Sequence, residues 1–104
     1  MLVIATDVTT PVKLTGLKPE LLVGIQILVG AFATFGYDCV LTSCVDGKHG
    51  SASLHYVGYA VDVRSRDVTK LNREWILRDA RKALGPEFDF ILESTHFHLE
   101  FQPK

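Results

Sequence analysis

At 104 residues the chain has room for one hydrophobic core, so residues 1–104 are interpreted as a single domain. A hydrophobic fraction of 47% excludes a disordered chain. A formal net charge of −1 provides no excess of positive charge that would attract nucleic acid or an anionic membrane. Two cysteines, Cys39 and Cys44, are too few for a disulfide framework and are predicted to be small, buried thiols.

Residues 1–17 are expected to form a strand-like or mobile lead-in, and the first helix is predicted over residues 19–34. Pro19 suits the first turn of a helix, and Glu20 beside it favours the positive end of the helix dipole. Gly36 is typical of a helix C-terminus. Apolar residues lie almost all round this segment, which predicts a buried helix at the centre of the domain.

No targeting or membrane-spanning segment is predicted. Residues 1–7 lack the basic start and the long apolar stretch of a secretory signal. The apolar run over residues 21–35 is shorter than the roughly 20 residues that a membrane helix needs, and it contains Gln26. We therefore expect a protein that is cytoplasmic on synthesis.

Four further segments are typical of strands, because they carry β-branched and aromatic residues. They are residues 37–42, 58–64, 88–92 and 96–102. A polar loop over residues 43–54 leads towards the second of them. A short turn at residues 93–95 joins the last two, which are expected to form a hairpin.

The second helix is predicted over residues 68–84, with Asp67 as its N-cap and Gly85-Pro86 as its stop. Its buried stripe is predicted to consist of Val68, Leu71, Trp75, Ile76 and Ala83. The predicted fold class is therefore α+β, with a small antiparallel sheet of three or four strands. Both helices are expected to pack on one side of that sheet, and the open face is expected to carry a functional site.

Histidines and carboxylates concentrate in two segments that the predicted sheet would bring together. His55 ends the polar loop, Asp62 follows seven residues later in a strand, and Glu93, His96 and His98 lie at the C-terminal hairpin. Alternate residues of a strand share a face, so His96 and His98 point to the same side. Asp62 and one of these histidines are therefore expected to meet across neighbouring strands. Imidazoles, one carboxylate ligand and one spare carboxylate are the inventory of a catalytic zinc site.

The same residues resemble the motifs of a known group of zinc peptidases. The pattern is His55-x-x-Gly58-x-Ala60-x-Asp62, followed by Glu93-x-x-His96-x-His98. It resembles the D-alanyl-D-alanine carboxypeptidase group, with its D-Ala-D-Ala dipeptidases, phage L-alanyl-D-glutamate endopeptidases and penicillin-insensitive murein endopeptidase. Hedgehog signalling proteins share that fold. The resemblance covers residues 41–103 and implies a hedgehog/DD-peptidase-like fold.

The resemblance also implies a zinc ion held by His55, Asp62 and one C-terminal histidine, with Glu93 as the general base. The dipeptidase register selects His96 as the third ligand. The register of the murein endopeptidase and hedgehog members selects His98 and leaves His96 to stabilise the charged intermediate. We favour His98 as the ligand.

The implied substrate is a stem peptide of peptidoglycan, cut by carboxypeptidase or endopeptidase action at a bond that the motifs do not specify. With such a substrate, a chain without a secretory signal is expected to reach the cell wall by cell lysis or in a virion. Many members carry an upstream arginine that contacts the substrate carbonyl, whereas residues 42–49 of this chain contain none. Lys48 or His49 is the candidate for that positive charge, and Ser53 is the candidate substrate contact. The alternatives are a hedgehog-like zinc-binding module or a phage accessory module without turnover, and the intact Glu93 favours an enzyme.

Overall fold

The structure is a computed structural model that describes residues 1–9, 11–44 and 58–102. Five strands form one sheet in the order β1-β2-β3-β5-β4, and two helices complete the fold. In chain order the elements are β1 (Leu2–Ile4), α1 (Pro19–Thr34), β2 (Cys39–Ser43), β3 (Ala60–Arg64), α2 (Lys70–Leu84), β4 (Phe88–Leu92) and β5 (His96–Phe101). The predicted α+β class is confirmed, and the four predicted strands lie within two residues of their expected bounds.

The prediction of a purely antiparallel sheet of three or four strands is wrong, because the lead-in contributes a fifth strand. β1 pairs in parallel with β2, with Leu2 opposite Cys39 and Ile4 opposite Leu41. The chain reaches β2 from β1 through helix α1, and a crossover of this kind makes the two strands parallel. The other neighbouring pairs are antiparallel, so the sheet is mixed.

Helix α1 begins and ends where the sequence predicts, at Pro19 and Thr34. The backbone N–H groups of Gly36 and Tyr37 donate to carbonyls of its last turn. The expectation that the helix is buried all round is wrong, since Val23 is 59% exposed. One face carries the buried residues, which are Leu21, Gly24, Ile25, Leu28 and Phe32. Among the described residues, neither helix has the length and apolar character that crossing a membrane requires.

Helix α2 begins at Lys70, and Thr69 is its N-cap, whose Oγ1 accepts a hydrogen bond from the Asn72 N–H at 3.2 Å. The predicted cap, Asp67, lies one residue before Val68, whose N–H donates to the Ser65 carbonyl in a preceding turn. That turn delays the start of the helix.

The buried stripe of α2 also differs from the prediction. Its buried residues are Ile76, Ala80 and Leu84. Val68 is buried just before the helix, but Leu71, Trp75 and Ala83 are exposed, Leu71 at 67%. The guanidinium of Arg78 lies 4.2 Å from the centroid of the Trp75 ring, and this cation–π contact covers part of the indole without burying it.

A single apolar core joins both helices to one face of the sheet. Phe97 of β5 is at its centre, packing edge-on against Phe32 of α1 at 5.5 Å and stacking on Phe90 of β4 at 5.2 Å between ring centroids. Val61 and Val63 of β3 are buried in the same core. Since successive strand residues alternate between faces, the residues between them point to the opposite, open face.

Gly58 fixes the entry of the chain into β3. Its φ is 83°, its carbonyl accepts a hydrogen bond from the Lys18 N–H at 3.0 Å, and a Cβ here would overlap the carbonyl oxygen of Gly16. The segment before α1 therefore lies directly against the start of the strand that carries Asp62.

We expect Gly58→Ala to lower the free energy of unfolding by more than Gly36→Ala. Both glycines have a φ of 83°, so each variant has left-handed strain of about 1–2 kcal/mol. Only Gly58 has a backbone atom in the space of the new methyl group, and such overpacking costs about 1–3 kcal/mol more. Urea denaturation of both variants measures the difference, and equal losses would contradict the close approach of Gly16 and Gly58.

Candidate metal centre

The pairing of β3 with β5 brings the candidate site residues together. Asp62 is directly opposite His98, and Arg64 is directly opposite His96. Residues opposite each other in an antiparallel pair share a face, which here is the open one. The prediction that Asp62 meets the C-terminal histidines across neighbouring strands is confirmed. Their role as metal ligands stays a prediction.

The donor atoms of this group are close enough to share one ion. Asp62 Oδ1 lies 2.7 Å from His98 Nδ1 and 3.4 Å from His96 Nε2. One ligand atom from each of the three residues lies within 4.8 Å of the others. Two tetrahedral zinc ligands stand about 3.3 Å apart, because each lies about 2.0–2.1 Å from the ion. The separations in this site therefore fit a metal ion after small side-chain adjustments.

Two imidazole nitrogens and one carboxylate oxygen suit a divalent transition metal. Catalytic zinc sites use this set, with a position left open for water. Non-haem iron(II) centres use the same two-histidine, one-carboxylate set. These donor atoms therefore fit a divalent transition metal, and they suit zinc and iron(II) equally.

A second carboxylate stands on the far side of the His98 ring. Glu100 Oε1 lies 2.7 Å from His98 Nε2, and Glu100 Oε2 accepts a hydrogen bond from the Gln102 side chain at 2.6 Å. The hydrogen bond to Asp62 raises the pKa of His98 to about 9, assisted by Glu100 and opposed by burial. A metal ion binds only the neutral ring, so metal binding at His98 displaces a proton.

Glu93 and Thr95 lie in the hairpin turn beside His96. Glu93 Oε1 is 3.6 Å from His96 Nε2, and Thr95 Oγ1 is 2.9 Å from His96 Nδ1. The Glu93 N–H donates to the His96 carbonyl at 2.8 Å, which closes the hairpin. The side chain of Glu93 is 45% exposed, whereas that of Asp62 is 16% exposed. Glu93 is thus next to the donor group and open to solvent.

Four predicted site residues lie outside the described residues. They are the candidate ligand His55 and the candidate substrate contacts Lys48, His49 and Ser53. The two cysteines are buried as predicted, and burial raises the pKa of the Cys39 thiol to about 12.

Three further residues contribute to this face that were not among the predicted site residues. Ser43 pairs with Asp62 across an irregularity in β2, one residue beyond the predicted end of that strand. Glu100 shares the face of His98 two residues later, a spacing that was visible in the sequence. Arg64 shares the face of Asp62 in the same way, but its partner Asp7 lies 57 residues away and gives no local signal.

Asp7 ties the segment after β1 to the end of β3. Arg64 and Arg66 both donate to its carboxylate, Arg66 at 2.6 Å. These two guanidinium groups, that of Arg64 foremost, lower the pKa of Asp7 to about 2. The ion pair thus holds Arg64 beside the candidate metal centre.

Comparison with known proteins gives no family assignment: no protein-family model matches the chain, and no curated protein matches it significantly. The likeness to zinc peptidases therefore rests on the motifs themselves. The function is argued below from the site.

We expect Asp7→Asn to lower the free energy of unfolding at pH 5 and to have little effect near pH 2. The folded-state pKa of Asp7 lies below its ordinary value of 3.8, so the stabilisation is present above pH 3.8 and is lost as the pH falls through about 2. Urea denaturation at the two pH values measures it. The exposed Asp67→Asn is the matched control. A deficit of Asp7→Asn that persisted undiminished at pH 2 would rule out the ion pair as its cause.

Proposed function

We propose that the chain is a zinc-dependent peptidase that hydrolyses peptide bonds in peptidoglycan stem peptides, as a carboxypeptidase or an endopeptidase. The observation that carries this proposal is the convergence of Asp62, His96 and His98 on one open sheet face, with the Glu93 carboxylate 3.6 Å from His96. The proposed class of substrate comes from the motif resemblance, and the proposed hydrolytic reaction comes from the residues of the site.

Asp62 and His98 are the proposed ligands from the sheet, and His55 is the proposed third ligand. When bound, zinc supplies Lewis acidity, which lowers the pKa of a water molecule towards about 7 and polarises a carbonyl oxygen. A second ligand set replaces His55 by His96. It is favoured by the 3.4 Å separation of His96 Nε2 from Asp62, which matches neighbouring ligands.

Glu93 is the proposed general base. Its Oε1 is 3.6 Å from His96 Nε2, next to the donor group, and its exposure opens it to solvent, the source of the attacking water. It accepts the proton of that water and passes it to the leaving amine. Because Glu93 sits in the turn that closes the hairpin, its position depends on the same β4–β5 pairing that places His96.

His96 is the proposed donor to the developing oxyanion. In the tautomer proposed for this role, the Thr95 hydroxyl donates to Nδ1 and the proton of the ring is on Nε2, on the side of Asp62 and Glu93. Both carboxylates are more than 3.3 Å from Nε2, too far for strong hydrogen bonds. The N–H is therefore available to the charge that develops on a substrate carbonyl. Lys48, His49 and Ser53 remain proposed substrate contacts.

A metal-binding module without turnover is the alternative function. A site that only holds an ion needs no spare carboxylate, so the position of Glu93 favours catalysis. Hydrolysis of purified peptidoglycan with and without a chelator, followed by mass spectrometry of the released muropeptides, tests the proposal. Release that is abolished by chelation and restored by zinc supports it, and no release from zinc-loaded protein contradicts it.

Two single variants separate the ligand sets. We expect His55→Ala to lose most of its zinc, because a three-ligand site weakens sharply when one ligand is removed. We expect His96→Ala to keep zinc and to lose hydrolytic rate. Metal content after gel filtration and the rate of peptidoglycan hydrolysis are measured together, with His49→Ala as a control for zinc content. The reverse pattern would make His96 the third ligand.

We expect Glu93→Gln to keep its zinc and its fold while losing at least about 100-fold in rate, the lower range for a general base. Glu87→Gln makes the same change at an exposed position at the other end of β4 and is expected to keep the parent rate. Loss of zinc from Glu93→Gln would identify Glu93 as a ligand. An unchanged rate would remove its role as the base.

A further inference from the structure

Each of the two histidines of the site has one ring nitrogen that faces away from Asp62. The hydrogen-bond partner of that nitrogen differs between the two residues. On His98 that nitrogen is Nε2, and its partner is the carboxylate of Glu100 at 2.7 Å. On His96 it is Nδ1, and its partner is the hydroxyl of Thr95 at 2.9 Å. The two partners act differently on the rings, because a carboxylate only accepts hydrogen bonds whereas a hydroxyl can also donate.

Glu100 is itself held in place. Its second carboxylate oxygen accepts a hydrogen bond from the side chain of Gln102 at 2.6 Å. Across the strand pair it is opposite Ala60, which is fully buried. Glu100 and His98 are two residues apart on β5 and share a face, so the contact is built into the strand.

An ionised carboxylate accepts hydrogen bonds and donates none, so Nε2 of His98 must carry a proton. Asp62 is an acceptor of the same kind, 2.7 Å from Nδ1, so without a metal that nitrogen carries a proton as well. A metal ion shared with Asp62 would take the place of the Nδ1 proton and leave the Nε2 proton on the side of Glu100. A hydroxyl both donates and accepts, so the contact with Thr95 does not determine which nitrogen of the His96 ring carries a proton. Glu100 thus holds a proton on the His98 nitrogen that faces away from Asp62 and leaves Nδ1 as the nitrogen that can bind a metal ion.

We propose that Glu100, held by Gln102, is the positioning residue that makes Nδ1 of His98 the metal-binding nitrogen. This inference rests on the proposed metal site and goes beyond it, because it names the binding atom and the residue that selects it. Metal-binding histidines commonly donate their other N–H to a carboxylate, and loss of such a partner weakens metal binding about 10–100-fold.

Glu100→Gln tests the proposal, because its amide keeps the size of the carboxylate and introduces an N–H group. With its oxygen accepting from Gln102, the amide N–H faces Nε2 of His98 and favours a proton on Nδ1, which blocks the metal. Asp89→Asn is the matched control, since Asp89 is directly opposite Glu100 on β4 and loses the same charge. Competition against a chromophoric chelator measures zinc affinity. We expect a loss of about 10–100-fold for Glu100→Gln and the parent affinity for Asp89→Asn.

Nitrogen-15 NMR of the histidine rings in the zinc-loaded parent provides a second, independent readout. We expect His98 to be protonated at Nε2 and to show the metal-induced shift at Nδ1. Zinc at Nε2 of His98 would overturn the proposal even if Glu100→Gln failed to fold. Equal affinities of Glu100→Gln and Asp89→Asn would overturn the role of Glu100 and leave the zinc site standing. A parent chain that binds no zinc would overturn the metal site and this inference with it.

Discussion

The register between β3 and β5 is the constraint on which the rest of the site depends. Val61 faces Leu99 and Val63 faces Phe97 on the core side, and this pairing alone sets Asp62 opposite His98 on the other side. A slip of one residue would exchange the two faces, burying the polar side chains and exposing the core. The apolar core therefore fixes the geometry of the polar site, although none of its residues takes part in it.

Several carboxylates lie close together around the two histidines of the site. Asp62, Glu93 and Glu100 surround the two imidazole rings on a partly buried face, where charges interact more strongly than in water. Without a metal, the proton that His98 retains well above its usual pKa partly balances these carboxylates. A divalent cation would balance them more completely, so the electrostatics of the open face and its donor chemistry favour the same occupant.

Local signals predicted the parts of the fold that local interactions determine. The bounds of α1 follow from Pro19 and the glycine after its last turn, and the alternation along β3 and β5 correctly placed Asp62 and His98 on one face. The parallel pairing of β1 depends on a partner more than thirty residues away, so no local pattern revealed it. In α2, Leu71 has the apolar character of a core residue but lies on the solvent side, because packing against the sheet selects the face that carries Ile76.

The residues of the candidate site come from paired strands and from a turn. Asp62 and His98 lie on paired strands, which hold side chains more precisely than loops do, as a metal-binding group requires. Glu93 lies in a turn and is about three times as exposed as Asp62, which is compatible with its proposed role as a proton acceptor. His96 is the first residue of β5, and its ring lies near both Asp62 on the neighbouring strand and Glu93 in the turn. A sheet of five short strands is sufficient for this arrangement, because one hairpin and one neighbouring strand supply Asp62, Glu93, His96 and His98.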